Sequence, residues 1–257
     1  MAGTVSVLAR SAAAAAVAAM LGTASASAAP SNPPAGQLWG NGQSTQGAHL
    51  QLVEVERRAL KAGEHVPFPY KIGSTLVVYR LRATGLTQGK PYDLWLHLAF
   101  ENPANTHEVV EVDARGDVTR QGGPVTLPVM NYRKGEPVGA GLISPDGAVR
   151  AIGRAFPFPL QATDGPCHLT LELLDPAGTT FGAVMRGFRP GSVVETVSRS
   201  GREVLRSRHT VPPGGTFNVD LRPAAAGGDQ QARFTARGPD CQVKVDYAWG
   251  AASMAAQ

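Results

Sequence analysis

From about residue 48 onward the chain alternates apolar and polar residues in short runs, and turn-forming residues break each run before a long helix could form. Alternation of period two is what a strand with one buried face requires. An amphipathic helix would instead repeat its apolar residues at three and four. Such runs cover 50–56, 75–83, 92–100, 108–113, 124–130, 138–143 and 148–155. A second set covers 167–174, 180–186, 192–199, 202–208, 215–221, 231–237 and 241–248. Between them stand Asp113-Ala-Arg-Gly116, Pro145-Asp-Gly147, Ser200-Gly201 and Pro212-Pro-Gly-Gly215, whose residues preset φ or tolerate its positive range. Only 57–63, Arg-Arg-Ala-Leu-Lys-Ala-Gly, reads as a helical turn or two. The expected class is all-β, since short strands with turns at this spacing build sandwiches or barrels.

The N-terminus reads differently. Arg10 precedes the apolar run Ala12–Leu21, and small residues follow to Ala26-Ser27-Ala28. A charged start, a short apolar stretch and an A-x-A pattern predict a signal peptide over 1–28, cut after Ala28. The run is shorter than the roughly 20 apolar residues a bilayer span needs, so no membrane span is expected. No Cys stands at the cut to carry a lipid. Residues 29–47, rich in Pro, Gly, Ser and Gln, read as a flexible leader containing Trp39. The expected location is periplasmic or extracellular.

Charge narrows the partners. Lys and Arg total 24 against 20 Asp and Glu, a surplus of four that falls to three once Arg10 is removed. Nucleic-acid binding needs a concentrated positive stripe and is not expected from so small a surplus. A weakly cationic surface facing an anionic envelope polymer fits it. With 17% charged and 43% apolar residues, the chain is neither a disordered polyampholyte nor a coiled coil.

Two cysteines go to an oxidising destination. Cys167 opens Cys-His-Leu-Thr-Leu-Glu-Leu and shares a strand face with Leu169, Leu171 and Leu173. Cys241 opens Cys-Gln-Val-Lys-Val-Asp-Tyr and shares one with Val243, Val245 and Tyr247. Both point inward at the start of a half-buried strand, and an even count in an exported chain pairs by default. A Cys167–Cys241 disulfide is expected, with two buried free thiols as the alternative.

A weak repeat runs through the chain. Gly85-Leu-Thr-Gln-Gly89 and Gly187-Phe-Arg-Pro-Gly191 share G-[L/F]-x-x-G at an offset of 102 residues. Val112-Asp-Ala-Arg-Gly-Asp-Val118 matches Val211-Pro-Pro-Gly-Gly-Thr-Phe217 at an offset of 99. Two copies of one module, meeting near Ala162–Pro166, account for both. The turn Gly187-Phe-Arg-Pro-Gly-Ser-Val-Val resembles the G-F-x-P-G turn of bacterial immunoglobulin-like modules. Leu86-Thr-Gln-Gly-Lys-Pro-Tyr92 resembles the fibronectin type III corner, L-x-P-G-x-x-Y, although Gln88 stands where that pattern has Pro. The resemblance implies two tandem immunoglobulin-like antiparallel β-sandwiches, over 48–163 and 164–250, with a tail at 251–257. It further implies that the Tyr92 hydroxyl bonds nearby backbone. It carries no activity, because such folds host many unrelated roles.

Chemistry is sparse. No G-x-S-x-G elbow, H-E-x-x-H helix, P-loop or G-x-G-x-x-G unit occurs, and no cofactor is implied. The densest polar cluster runs from His97 to Glu108, where His97, Glu101, His107 and Glu108 are candidate ligands for zinc if strand and loop fold together. Trp95 and His97 fall on the face of their strand opposite Leu94 and Leu96, where an aromatic ring could stack on a sugar or peptide. The competing expectation packs Trp95 under 57–70. Arg115-Gly116-Asp117, an adhesion-type tripeptide, reads as turn chemistry. Arg202, Arg206 and Arg208 share a strand face by alternation and could hold a phosphate or carboxylate group, although a merely soluble edge is the commoner use of such a face. The expected function is an exported, non-catalytic binding, adhesion or envelope-associated module whose partner is a protein or an anionic envelope polymer. The alternative is a hydrolase or accessory domain using the His97–Glu108 cluster.

Overall fold

The computed structural model describes residues 44–64, 73–223 and 230–254. The expected signal peptide, the cut after Ala28, Trp39 and most of the leader lie outside them. Strands dominate, and the only helix among the described residues is a 3-10 turn at Gly250–Met254. The chain is all-β, built of several antiparallel sheets.

The first nine strands are β1 (His49–Ala59), β2 (Thr75–Thr84), β3 (Tyr92–Leu98), β4 (Ala104–Val112), β5 (Val118–Arg120), β6 (Gly123–Pro124), β7 (Thr126–Val129), β8 (Val138–Ile143) and β9 (Arg150–Ala155). They form a sheet of order β1-β2-β7 and one of order β6-β5-β4-β3-β8-β9. The next eight are β10 (Leu160–Asp164), β11 (Cys167–Leu173), β12 (Phe181–Arg186), β13 (Val193–Ser200), β14 (Glu203–Thr210), β15 (Thr216–Leu221), β16 (Gln231–Arg237) and β17 (Gln242–Ala248). Their sheets run β10-β11-β12-β15 and β14-β13-β16-β17.

The chain divides into two compact units. One gathers the described residues through His97 with Asn102–Pro128 and Ala140–Gly153. The other gathers Leu98–Glu101, Val129–Gly139 and the described residues from Arg154 onward.

In the first unit the alternation works as the sequence requires. Tyr79, Leu81 and Ala83 of β2 are buried, and Arg80, Arg82 and Thr84 between them are exposed. Residues 57–63 are not helical: β1 continues to Ala59, which pairs with Thr75. Carboxylates and guanidinium groups along this exposed strand pair with each other, Arg57 with Glu54 at 2.6 Å and Arg58 with Glu56 at 2.6 Å, which suits an extended backbone as well as a helical one. Ser44 and Thr45, the end of the expected leader, are hydrogen-bonded beside β9.

The second unit closes one core between its two sheets. Leu169, Leu171 and Leu173 of β11 and Phe181, Ala183 and Met185 of β12 come from one side. Phe234 and Ala236 of β16 and Val243, Val245 and Tyr247 of β17 come from the other. Phe181 and Tyr247 meet edge to face across it at 4.8 Å. The expected disulfide is present: Cys167 and Cys241, Cα atoms 6.3 Å apart, tie the start of β11 to the residue before β17. Strand β10 escaped the sequence reading because its Leu160-Gln-Ala-Thr-Asp buries little besides Leu160.

The repeat is physical. The order β4-β3-β8-β9 recurs as β14-β13-β16-β17, and β1-β2-β7 as β11-β12-β15. The two corners use the same contacts. Gly85 and Gly187 both have positive φ, and a Cβ on either would collide with a backbone carbonyl, that of Gly47 or of Pro166. No other residue fits there. Gly89 N–H donates to Val112 O at 3.0 Å, and Gly191 N–H donates to Val211 O at 2.8 Å. At the first corner the Tyr92 hydroxyl accepts from Thr87 N–H at 3.0 Å and faces Thr87 O at 3.3 Å, the backbone bond implied by the fibronectin-like pattern.

Candidate binding face

Strands β13 and β14 form a hairpin closed by Gly201 and Arg202, with Gly201 supplying the positive φ that a two-residue turn needs. Thr196 and Ser200 of β13 point into the unit and are buried, so Glu195, Val197 and Arg199 point out. In antiparallel sheets directly opposed residues share a face, so the register carries this outward set across the sheet. One row reads Arg208, Glu195, Arg237, Gln242; the next Arg206, Val197, Thr235, Lys244; the third Val204, Arg199, Arg233, Asp246. Six cations thus face two carboxylates. The surplus on this one sheet face equals the surplus of the whole chain, which is four.

Two of the cations are engaged. Arg206 meets Glu195 at 3.3 Å, and Arg233 meets Asp246 at 2.5 Å. The Arg233 guanidinium holds the Asp246 carboxyl below the usual range, with a smaller contribution from Lys244. Arg199, Arg208 and Arg237, together with Arg202 in the turn, form no ion pair within the described residues. Arg199 and Arg233 stand directly opposite each other, an arrangement of like charges that is destabilising in a sheet. Beside them lies a shallow depression of about 460 Å³ lined by Arg199, Gly201, Gln231, Ala232, Arg233 and Asp246. Guanidinium groups bind carboxylate or phosphate in bidentate fashion, so this arrangement has the chemistry to take an anion.

Sequence alternation placed Arg206 and Arg208 correctly on one face. Arg202 lies in the turn rather than on the strand. Arg233, Arg237 and Lys244 were missed, though Ala232, Phe234 and Ala236 alternate with Arg233, Thr235 and Arg237. The outward residues of β16 were readable. Its pairing with the non-consecutive β13 was not.

The other candidates are placed elsewhere. Trp95 is only 7% exposed and packs with Ile143, so its ring is not on the surface where stacking on a ligand needs it. Part of the 57–70 segment expected to cover it lies outside the described residues. His97 is half-buried and Glu101 exposed. His107 and Glu108 sit where β4 breaks register against β3, with His107 at a φ of 59° and its N–H on the Asn105 side chain. Glu108 is ion-paired with Arg120 at 2.5 Å. Among the described residues no three His, Cys, Asp or Glu side chains are gathered to hold a metal, so these four do not form such a group. In the Arg115-Gly116-Asp117 turn, the Asp117 carboxylate is bound by Arg82 at 3.3 Å and its N–H by Asp113 at 2.9 Å, so both are committed to the turn.

No protein family matches the chain, and no curated protein does. A solved structure described as a tetra-tandem repeat in the extending region of a large adhesion protein is similar at 14% identity. The match covers 79% of this chain and 50% of that one, so the chain spans half the length of that structure. The TM-score is 0.25, too low for the likeness to carry an argument. Among the described residues no helix is long and apolar enough to cross a membrane.

Proposed function

We propose that this is an exported, non-catalytic binding protein built of two immunoglobulin-like sandwiches, which attaches to an anionic envelope polymer through the second of them. The observation that carries the reading is the outward face of β14-β13-β16-β17, where six cations meet two carboxylates and Arg199, Arg208 and Arg237 form no ion pair among the described residues. Uncompensated charge of one sign opposes itself and is retained at a cost, so it favours a use outside the fold. The disulfide supports export, because such a bridge persists in an oxidising compartment. The strand order repeated in the two sheet pairs supports tandem modules.

The test is retention of the purified protein on immobilised polygalacturonate and polyphosphate at low salt, with neutral dextran as control. Retention on both anionic resins, absent on dextran and lost in an Arg202→Glu, Arg206→Glu, Arg208→Glu variant, is expected. Equal behaviour on all three resins would remove the reading.

A further inference from the structure

Resting on that reading, we propose a specific ligand class and a larger site: a linear acidic glycan, laid as an extended chain over all four strands, with its repeated carboxylates on cations from β14 through β17. Four strands span about 14 Å at the usual strand spacing, and three outward rows cover a similar length along the strands. The cations are dispersed over this grid: Arg206 and Arg208 on one edge, Arg199 and Arg233 in the middle, Arg237 and Lys244 toward the other edge. A single carboxylate or phosphate reaches two or three of them. A chain that repeats its charge reaches most.

The surface form agrees. The shallow concavity beside these rows holds the opposed Arg199 and Arg233, so it seats a single charged group of a chain that continues over the sheet. Composition separates such a charge-repeating chain from single-stranded nucleic acid and from a membrane surface. The three outward rows carry no Phe, Tyr or Trp. Single-stranded nucleic acid is held largely by bases stacked on aromatic rings, and membrane interfaces favour Trp and Tyr. A ligand recognised through charge alone, and flexible enough to follow a sheet, needs neither.

The experiment is calorimetric titration of the purified protein with hexagalacturonate, galacturonic acid, polyphosphate, phosphatidylglycerol vesicles and duplex DNA, at low and raised salt. Hexagalacturonate is expected to bind about 100-fold more tightly than the monomer and to weaken steeply with salt as counterions are released. Arg237→Glu with Lys244→Glu, on β16 and β17, is expected to weaken the hexamer about tenfold, as is Arg206→Glu with Arg208→Glu on β14. All four side chains lie on the outward face, and retained circular dichroism verifies the fold. If the β14 pair weakens binding and the β16–β17 pair does not, the four-strand site is wrong and the binding reading stands. Equal affinity for monomer and hexamer, or preference for vesicles or DNA, overturns the acidic-glycan chain. Failure of hexagalacturonate and polyphosphate alike removes the binding reading as well.

Discussion

The sheet orders β4-β3-β8-β9 and β14-β13-β16-β17 correspond, yet their outward faces have opposite fates. At the repeat offset, Asp93, Trp95 and His97 of β3 stand where β13 has Glu195, Val197 and Arg199. In the first unit Trp95 is buried with Ile143, and Ala140–Ile143 of β8 are all buried, so that part of β8 is covered on both faces. In the second, Arg199 and nearly all of β14 are exposed, the outward Val204 at 43%. The residues that fix the strand order are the inward ones and the corner glycines, which the two share. What differs is the outward set, covered in the first unit and open in the second.

Three perturbations probe the comparison. The largest acts on a feature only the second unit has. Replacing Cys167 and Cys241 by Ser frees a loop with a sequence separation of 74 and should cost about 4 kcal/mol on the chain-entropy view. Hydrogen exchange should accelerate in β11 and β17 and stay unchanged in β2 and β3. Uniform acceleration would show that the bridge is not local to the second unit.

The next compares equivalent positions. Trp95→Ala should cost about 3 kcal/mol, because it empties a buried site. Val197→Ala should cost under about 1 kcal/mol, since its side chain stands half in solvent. Similar denaturation midpoints for the two variants would contradict the difference assigned to these faces.

The smallest effect should be common to both units. Burial pushes the Tyr79 and Tyr247 hydroxyls up to about 12 from their ordinary value of 10.0. Between pH 10 and 12 the unfolded chain ionises while the folded one does not, so unfolding releases protons and stability falls as pH rises. Each tyrosine contributes to that loss over this range. Phe replacements at either position should flatten the alkaline limb of the stability profile. An unchanged limb in either variant would count against burial as its cause.

Much of the fold was legible because period-two alternation is a local signal. The faces of Cys167 through Leu173 and of Cys241 through Tyr247 could be read from the chain, and with them the disulfide. The glycine corners were legible because a positive φ leaves few choices. Residues 57–63 misled because Arg, Ala, Leu and Lys favour helices intrinsically, and pairing with β2 overrides that preference. The binding face was half legible. Arg206 and Arg208 announced it, but Arg233, Arg237 and Lys244 join them only through pairing between strands distant in sequence. Trp95 misled for a related reason: alternation gives the side of the sheet and not what covers it.

The central claim is that the open cationic face of the second unit, and not its counterpart in the first, is where the ligand lies. Backbone amide shifts of the isotope-labelled protein titrated with hexagalacturonate test it most directly. The account predicts perturbations concentrated in Val193–Thr210 and Gln231–Ala248, with Tyr92–Leu98 and Ala104–Val112 unmoved. Perturbations centred on β3 and β4, or none while the hexamer is bound, would contradict it.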